Sequence, residues 1–177
     1  MKLDLFSIPI WIGNIDVAKV TLQSSKLEKN FLSDVASSYS QGSSIDETSS
    51  KYLLDVIINL LDQDIIRRYT LDIINIWENH YYDSDFQENH IHVGSDLSFI
   101  IYKKIDESKT VFLNPSYKLL NCFYANCKFK SVIFGKENFV PECRENQIII
   151  FPSYLEHMVR KSSNTITIAG NLKITFN

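Results

Sequence analysis

Apolar residues recur at helical spacing early in the chain and at strand spacing over its second half. An opening run, residues 5–20, mixes Ile, Val, Phe and Trp with a Pro and a Gly and reads as one or two extended segments around a turn. Leu27, Phe31, Leu32, Val35, Ala36 and Tyr39 then fall on one face of a helix over about 24–39. Residues 37–50 are Ser-rich without apolar period, so they read as an exposed loop that ends by capping a second helix near Asp46–Ser49. Leu53, Val56, Ile57, Leu60 and Leu61 form the buried face of that helix. In YTLDIINIWENH, Leu71, Ile73, Asn75, Trp77 and Asn79 alternate as well as they repeat helically, which leaves helix and strand both open there.

Beyond residue 80 the pattern is β throughout. LSFIIYKK, TVFLN, FKSVIFG, NQIIIFP and TITIAGNLKITF are short β-branched or aromatic runs separated by Asn, Pro, Gly, Ser and Asp clusters. Helices first, strands after, and no βαβ alternation predict helices packed against one side of an antiparallel β sandwich or barrel.

Composition narrows the function classes. With 45% apolar and 22% charged residues in 177, the chain can bury a core, and its length suits one domain. A formal charge of −3 leaves no global basic field for nucleic acid or anionic lipid. The longest apolar runs have strand length, which argues against a membrane span, and Asp4 interrupts the apolar N-terminus where a signal peptide would need continuity. A cytoplasmic location is therefore expected. Three cysteines, Cys122, Cys127 and Cys143, match neither a disulfide framework nor a familiar zinc spacing, and read as reduced structural thiols.

The candidate chemistry lies in the histidines. His90 and His92 precede the strand Leu97–Lys104, and residues i and i+2 of an extended segment project to the same face, so both imidazoles can reach one metal ion. The same spacing also fits a surface pair. His157 follows the strand Ile148–Phe151 across a short turn, and in a jelly roll a late strand commonly lies beside an early one, which makes a third imidazole available. Three facial ligands would leave open positions on an octahedral ion, as in non-haem Fe(II) sites. Asp96 completes a His-x-His-x-x-x-Asp pattern that resembles the first motif of cupins, and it equally suits a turn before the strand. His80 has no same-face partner and reads as a loop or surface residue.

Several segments together resemble a family of 2-oxoglutarate/Fe(II) oxygenases of marine bacteria and T4-like phages. They are Leu5-Phe6-Ser7-Ile8-Pro9, Trp77-Glu78-Asn79, His90-Ile91-His92-Val93-Gly94-Ser95, Ser98-Phe99-Ile100-Ile101-Tyr102 and Phe151-Pro152-Ser153-Tyr154-Leu155-Glu156-His157, in the family's order. The resemblance implies a double-stranded β-helix, a jelly roll related to cupins, as one domain over 1–177, with helical support over about 24–76 and the core over about 77–177. It implies His90, His92 and His157 as ligands of Fe(II), with Asp96 as the alternative ligand, and 2-oxoglutarate as co-substrate.

The chain departs from the family where a closing-strand Arg is expected to pair with the distal carboxylate of 2-oxoglutarate, because Thr165 stands there. Lys104, with the strand parity of Ser98 and Tyr102, is the first substitute cation, and Lys173, with the parity of Thr165 and Thr167, the second. Tyr102, Thr165 and Thr167 are expected to hydrogen-bond the co-substrate. The implied activity is hydroxylation of a small-molecule or peptide substrate, a prolyl or other amino-acid residue by family analogy, in the host cytoplasm if the gene is phage-borne. A cupin-like metalloenzyme without 2-oxoglutarate and a non-catalytic jelly-roll binding module are the alternatives, and the oligomeric state is not legible.

Overall fold

A computed structural model describes residues 7–23, 26–29, 34–41, 43–61, 69–106, 110–117, 122 and 136–176. In chain order the strands are β1 (Trp11–Asn14), β2 (Leu22–Gln23), β3 (Glu28–Lys29), β4 (Ala36–Ser37), β5 (Ser44–Ile45), β6 (Tyr69–Tyr81), β7 (Asp85–His90) and β8 (Leu97–Lys104). They continue with β9 (Thr110–Leu113), β10 (Asn138–Phe139), β11 (Gln147–Pro152), β12 (His157–Ser162) and β13 (Thr165–Phe176), and Glu47–Leu60 form the α-helix α1. The expected strand FKSVIFG and Cys127 lie outside the described residues.

Two antiparallel sheets carry the fold. The larger has the order β1-β11-β8-β13-β6-β4-β3 and the smaller β10-β9-β12-β7, with β2 and β5 forming a separate pair. From β6 to β9 successive strands alternate between the sheets, and β10 to β13 do so again, which is the jelly-roll arrangement. β6 and β13 pair over their whole length, from Tyr81↔Thr165 to Tyr69↔Phe176, so the ambiguous YTLDIINIWENH segment is strand.

Side-chain alternation assigns the two faces of the larger sheet to different cores. Phe99 and Ile101 of β8, Ile148 and Ile150 of β11, and Ile168 and Leu172 of β13 point outward and cluster with Leu53 and Ile57 of α1. Ile100, Tyr102, Ile149, Phe151 and Ala169 point inward and meet Phe112 of the smaller sheet. Buried on both faces, these strands read as continuous apolar runs. Helix α1 begins where the capping pattern places it, since the Asp46 side chain accepts from the Ser49 backbone N–H at 3.0 Å.

The helix expected over 24–39 is not found among the described residues of that span. Its described residues contribute strands instead, Glu28 pairing with Ser37 and Lys29 with Ala36, and β4 in turn pairs with β6 through Ala36↔His80 and Ser37↔Asn79. Tertiary hydrogen bonding overrides the helical period. Ser38 donates its backbone N–H to the Glu78 carbonyl at 3.0 Å and accepts from the Glu78 N–H on its hydroxyl at 2.9 Å, satisfying a strand whose edge would otherwise be open. Val35, part of the expected helical stripe, is buried with Tyr81 and Val159.

Candidate metal centre

The β7–β12 ladder brings the histidines together. His90 is the last residue of β7 and pairs directly with His157, the first of β12. His92 follows two residues later, and its backbone N–H donates to the Ser153 carbonyl at 3.0 Å, which ties this segment to the turn before β12. The ring centroids of His90 and His157 are 4.2 Å apart, with His92 5.2 Å from His90 and 5.1 Å from His157. The three offer ligand atoms within 4.8 Å of one another.

The hydrogen bonds assign the ring atoms. Nδ1 of His90 faces the Glu88 carbonyl at 2.7 Å, Nδ1 of His157 the Leu155 carbonyl at 3.0 Å, and Nδ1 of His92 the side-chain oxygen of Asn171. An oxygen that only accepts fixes the proton on Nδ1 and leaves the Nε2 lone pair free for a metal. His92 Nε2 is buried without any hydrogen-bond partner, an orphan that a bound cation would satisfy. Burial lowers the pKa of all three imidazoles; with help from neighbouring rings His92 falls to about 4 and His157 to about 3. They are neutral at pH 7, the protonation state a ligand requires. This donor set fits a divalent transition metal.

Apolar walls close the site. Trp77 stacks on His92 at 5.6 Å, and Phe151 meets His157 edge-on at 4.8 Å. On the inner side lies a cavity of about 20 Å³, room for about one water, lined by Tyr102, Thr110, Ser162, Thr165, Thr167 and Asn79 as well as the histidines. On the outer side His90 and His92 also border a cleft of about 760 Å³ that runs past Trp77, Tyr39, Gln87, Asn89 and Asn171.

The other expected site residues divide. Tyr102, Thr165 and Thr167 do line the inner cavity. Tyr102 shares a 2.8 Å hydrogen bond with Thr110 and Thr165 a 2.9 Å bond with Ser162, while the Asn79 side-chain oxygen is buried without a partner. Lys104 does not line it. Thr167 pairs with Tyr102 but Ile166 pairs with Lys104, so Lys103 is an extra residue in the ladder. That bulge reverses the parity beyond it, turning Lys104 to meet the Asn164 side chain while Ile105 reaches the cavity. Lys173 is exposed at the far end of β13 and pairs with Asp96 at 3.1 Å.

Asp96 is not grouped with the histidines. Its carboxylate accepts from the Ile174 backbone N–H at 2.8 Å and from Lys173, and these bonds hold its pKa below the usual carboxylate value. It anchors the end of β13. His80 sits on β6 within 3.5 Å of Glu78, away from the other three. No lysine or arginine is among the described residues that line the inner cavity.

Four participants escaped the sequence reading: Asn171, Asn79, Thr110 and Ser162. Asn171 was findable, since it shares strand parity with Thr165 and Thr167. The others become visible only once the sheets are stacked.

A jelly roll that brings three neutral imidazoles together suits a metal-dependent protein, and comparison with known proteins supplies the class. The model of the family described as "Putative 2OG-Fe(II) oxygenase" matches residues 75–171, more than half of the 177-residue chain, and the chain belongs to that family. It is accordingly an oxidoreductase of the class that uses Fe(II) and 2-oxoglutarate and acts on small molecules or peptides.

Among solved structures, it is similar to an oxidoreductase of the 2OG-Fe(II) oxygenase family from Burkholderia pseudomallei, with TM-score 0.50 and 10% identity over 93% of this chain and 67% of that one. The α-ketoglutarate-dependent epimerase SnoN of nogalamycin biosynthesis gives TM-score 0.53 and 9% identity over 88% of this chain and 69% of its own. The carbocyclase SnoK of the same biosynthesis gives 0.50 and 7% over 91% and 72%. At such identities these likenesses establish the fold. No curated protein matches the sequence. Among the described residues no helix is long and apolar enough to cross a membrane.

Proposed function

We propose that the protein is an Fe(II)- and 2-oxoglutarate-dependent dioxygenase in which His90, His92 and His157 hold the metal through Nε2. The reading takes residues 1–177 as one domain. The observation that carries it is the convergence of three neutral imidazoles whose Nδ1 atoms are all engaged, one of them with a buried, unpartnered Nε2. With Fe(II) and 2-oxoglutarate bound, such a site supplies O₂-dependent hydroxylation: one oxygen atom goes to a substrate carbon, and the other to the co-substrate, which leaves as succinate and CO₂.

The chain's own residues position and exclude. Phe112, Phe151 and Trp77 keep water from the imidazoles. The hydroxyls of Tyr102, Thr165 and Thr167 supply the polar contacts for the co-substrate's oxygens inside. The outer cleft is large enough for the substrate, for which family analogy suggests a prolyl or other amino-acid residue. The free thiols of Cys122 and Cys143 support a reducing, cytoplasmic setting, that of the host if the gene is phage-borne.

One observation favours a second reading, a cupin-like metalloenzyme that does not use 2-oxoglutarate. The inner cavity holds about one water and its described lining carries no cation, so a dicarboxylate enters only by displacing side chains and finds hydroxyls instead of a guanidinium. Metal analysis of the purified protein together with succinate release from 2-oxoglutarate separates the two. Bound iron with succinate formation is the expected result, bound iron without it would favour the second reading, and no metal binding would remove both.

A further inference from the structure

We propose that Asn171 is a positioning residue for His92, set in turn by a one-way relay of serine hydroxyls, and that this relay determines which ring nitrogen of His92 is free. The proposal rests on the reading of the histidines as a metal site. Ser95 donates to Ser153 at 2.9 Å, Ser153 and Ser98 are 2.8 Å apart, and Ser98 donates to the Asn171 side-chain oxygen at 2.8 Å. The same oxygen faces Nδ1 of His92.

The direction of the chain follows from counting protons. Each hydroxyl has one to give. The Ser98 proton goes to Asn171, so the proton between Ser98 and Ser153 must come from Ser153, while Ser95 shares its proton between Ser153 and the His92 carbonyl at 3.0 Å. The relay therefore ends on an oxygen that can only accept, and His92 must donate to it from Nδ1. Were the Asn171 amide turned over, its NH₂ would face both the Ser98 hydroxyl and Nδ1. His92 would then carry its proton on Nε2, pointing a buried N–H into the site where the metal's lone pair is needed. The Ser98 proton would then have to go to Ser153, which already accepts from Ser95 and would be left without an acceptor for its own proton.

Burial makes the relay stiff. Ser98 and Ser153 are wholly buried and Asn171 nearly so, which excludes competing water. Ser153 also accepts from the His92 backbone N–H at 3.0 Å and donates its own N–H to the Asp96 carbonyl at 3.0 Å. The turn it begins supplies the Leu155 carbonyl that holds His157 Nδ1. One turn thus aligns two of the three imidazoles. A partner of this kind usually changes metal affinity by about 10–100-fold when removed.

The test uses the full-length protein with ¹⁵N-labelled histidine, first metal-free and then titrated with Co(II). In the metal-free wild type, long-range ¹H–¹⁵N spectra should show His92 protonated on Nδ1. Asn171→Leu should shift that proton wholly or partly to Nε2 and weaken Co(II) binding about 10–100-fold, whereas Asn171→Asp, which keeps an acceptor, should restore both. Ser98→Ala should give a mixed tautomer with an intermediate loss, and it serves if Asn171→Leu does not fold. An unchanged tautomer, or wild-type Co(II) affinity, in the variant that folds would overturn the proposal. If the wild type binds no Co(II) while the tautomer still follows Asn171, the metal reading falls and the positioning role stands.

Discussion

The two faces of the larger sheet, built from the same strands, behave as different materials. The outer face is apolar, with Phe99, Ile101, Ile148, Ile150, Ile168 and Leu172 packed under Leu53 and Ile57 of α1. The inner face alternates apolar side chains with buried Asn79, Ser98, Tyr102, Thr165, Thr167 and Asn171 around the imidazoles. On the outer face hydrophobic burial stabilises the fold. On the inner face buried polar groups are each held by a specific partner or directed into the cavity, an arrangement that stabilises less and specifies more.

That contrast is broken most sharply by a pair of substitutions. His157→Ala should abolish metal-dependent turnover at a limited cost to stability, about 1–3 kcal/mol, since the ring it removes is buried against Phe112 and Phe151. Leu53→Ala should do the reverse, costing about 2–5 kcal/mol through the cavity it leaves beneath α1 while the folded fraction binds metal normally. Denaturant unfolding and Co(II) titration of both variants check this; a His157→Ala protein that binds metal like wild type would show that the ligand set is wrong.

Acid sharpens the comparison, because the inner face carries the buried imidazoles. The folded pKa values of His92 and His157, about 4 and about 3, lie below the ordinary imidazole value of 6.5. The unfolded chain therefore binds more protons between these values, and stability falls as pH drops through about 6.5 towards 4 and is level above 7. The melting temperature of metal-free protein should follow that course, and the His157→Gln variant should show a shallower one. A melting temperature with the same pH dependence in both proteins would contradict the burial of these rings.

The smallest effects concern the co-substrate. Thr165→Val should weaken 2-oxoglutarate binding about 2–10-fold, the worth of one hydrogen bond. Lys104→Ala should leave it unchanged, because its ammonium lies against Asn164 outside the cavity. A clear loss of affinity in Lys104→Ala, measured by calorimetry on iron-loaded protein, would mean that the bulge rearranges on binding.

The sequence by itself determined the β character of the second half, the start of α1 and the common side of His90 and His92, because each depends on local rules. A period of two marks strands, an Asp three residues before a Ser caps a helix, and His-x-His in an extended segment puts two rings on one side. It also determined that no arginine stands at position 165. Only the tertiary structure decided that Glu28–Lys29 and Ala36–Ser37, within the expected helix, pair as strands at the open edge of β6. It likewise decided the fate of Lys104, for a bulge is a property of two paired strands and one extra residue reverses every side chain beyond it. Asn171 came to lie on His92 by the same kind of cause: 79 residues separate them, and their contact exists because the closing strand runs beside the strand that follows the histidines.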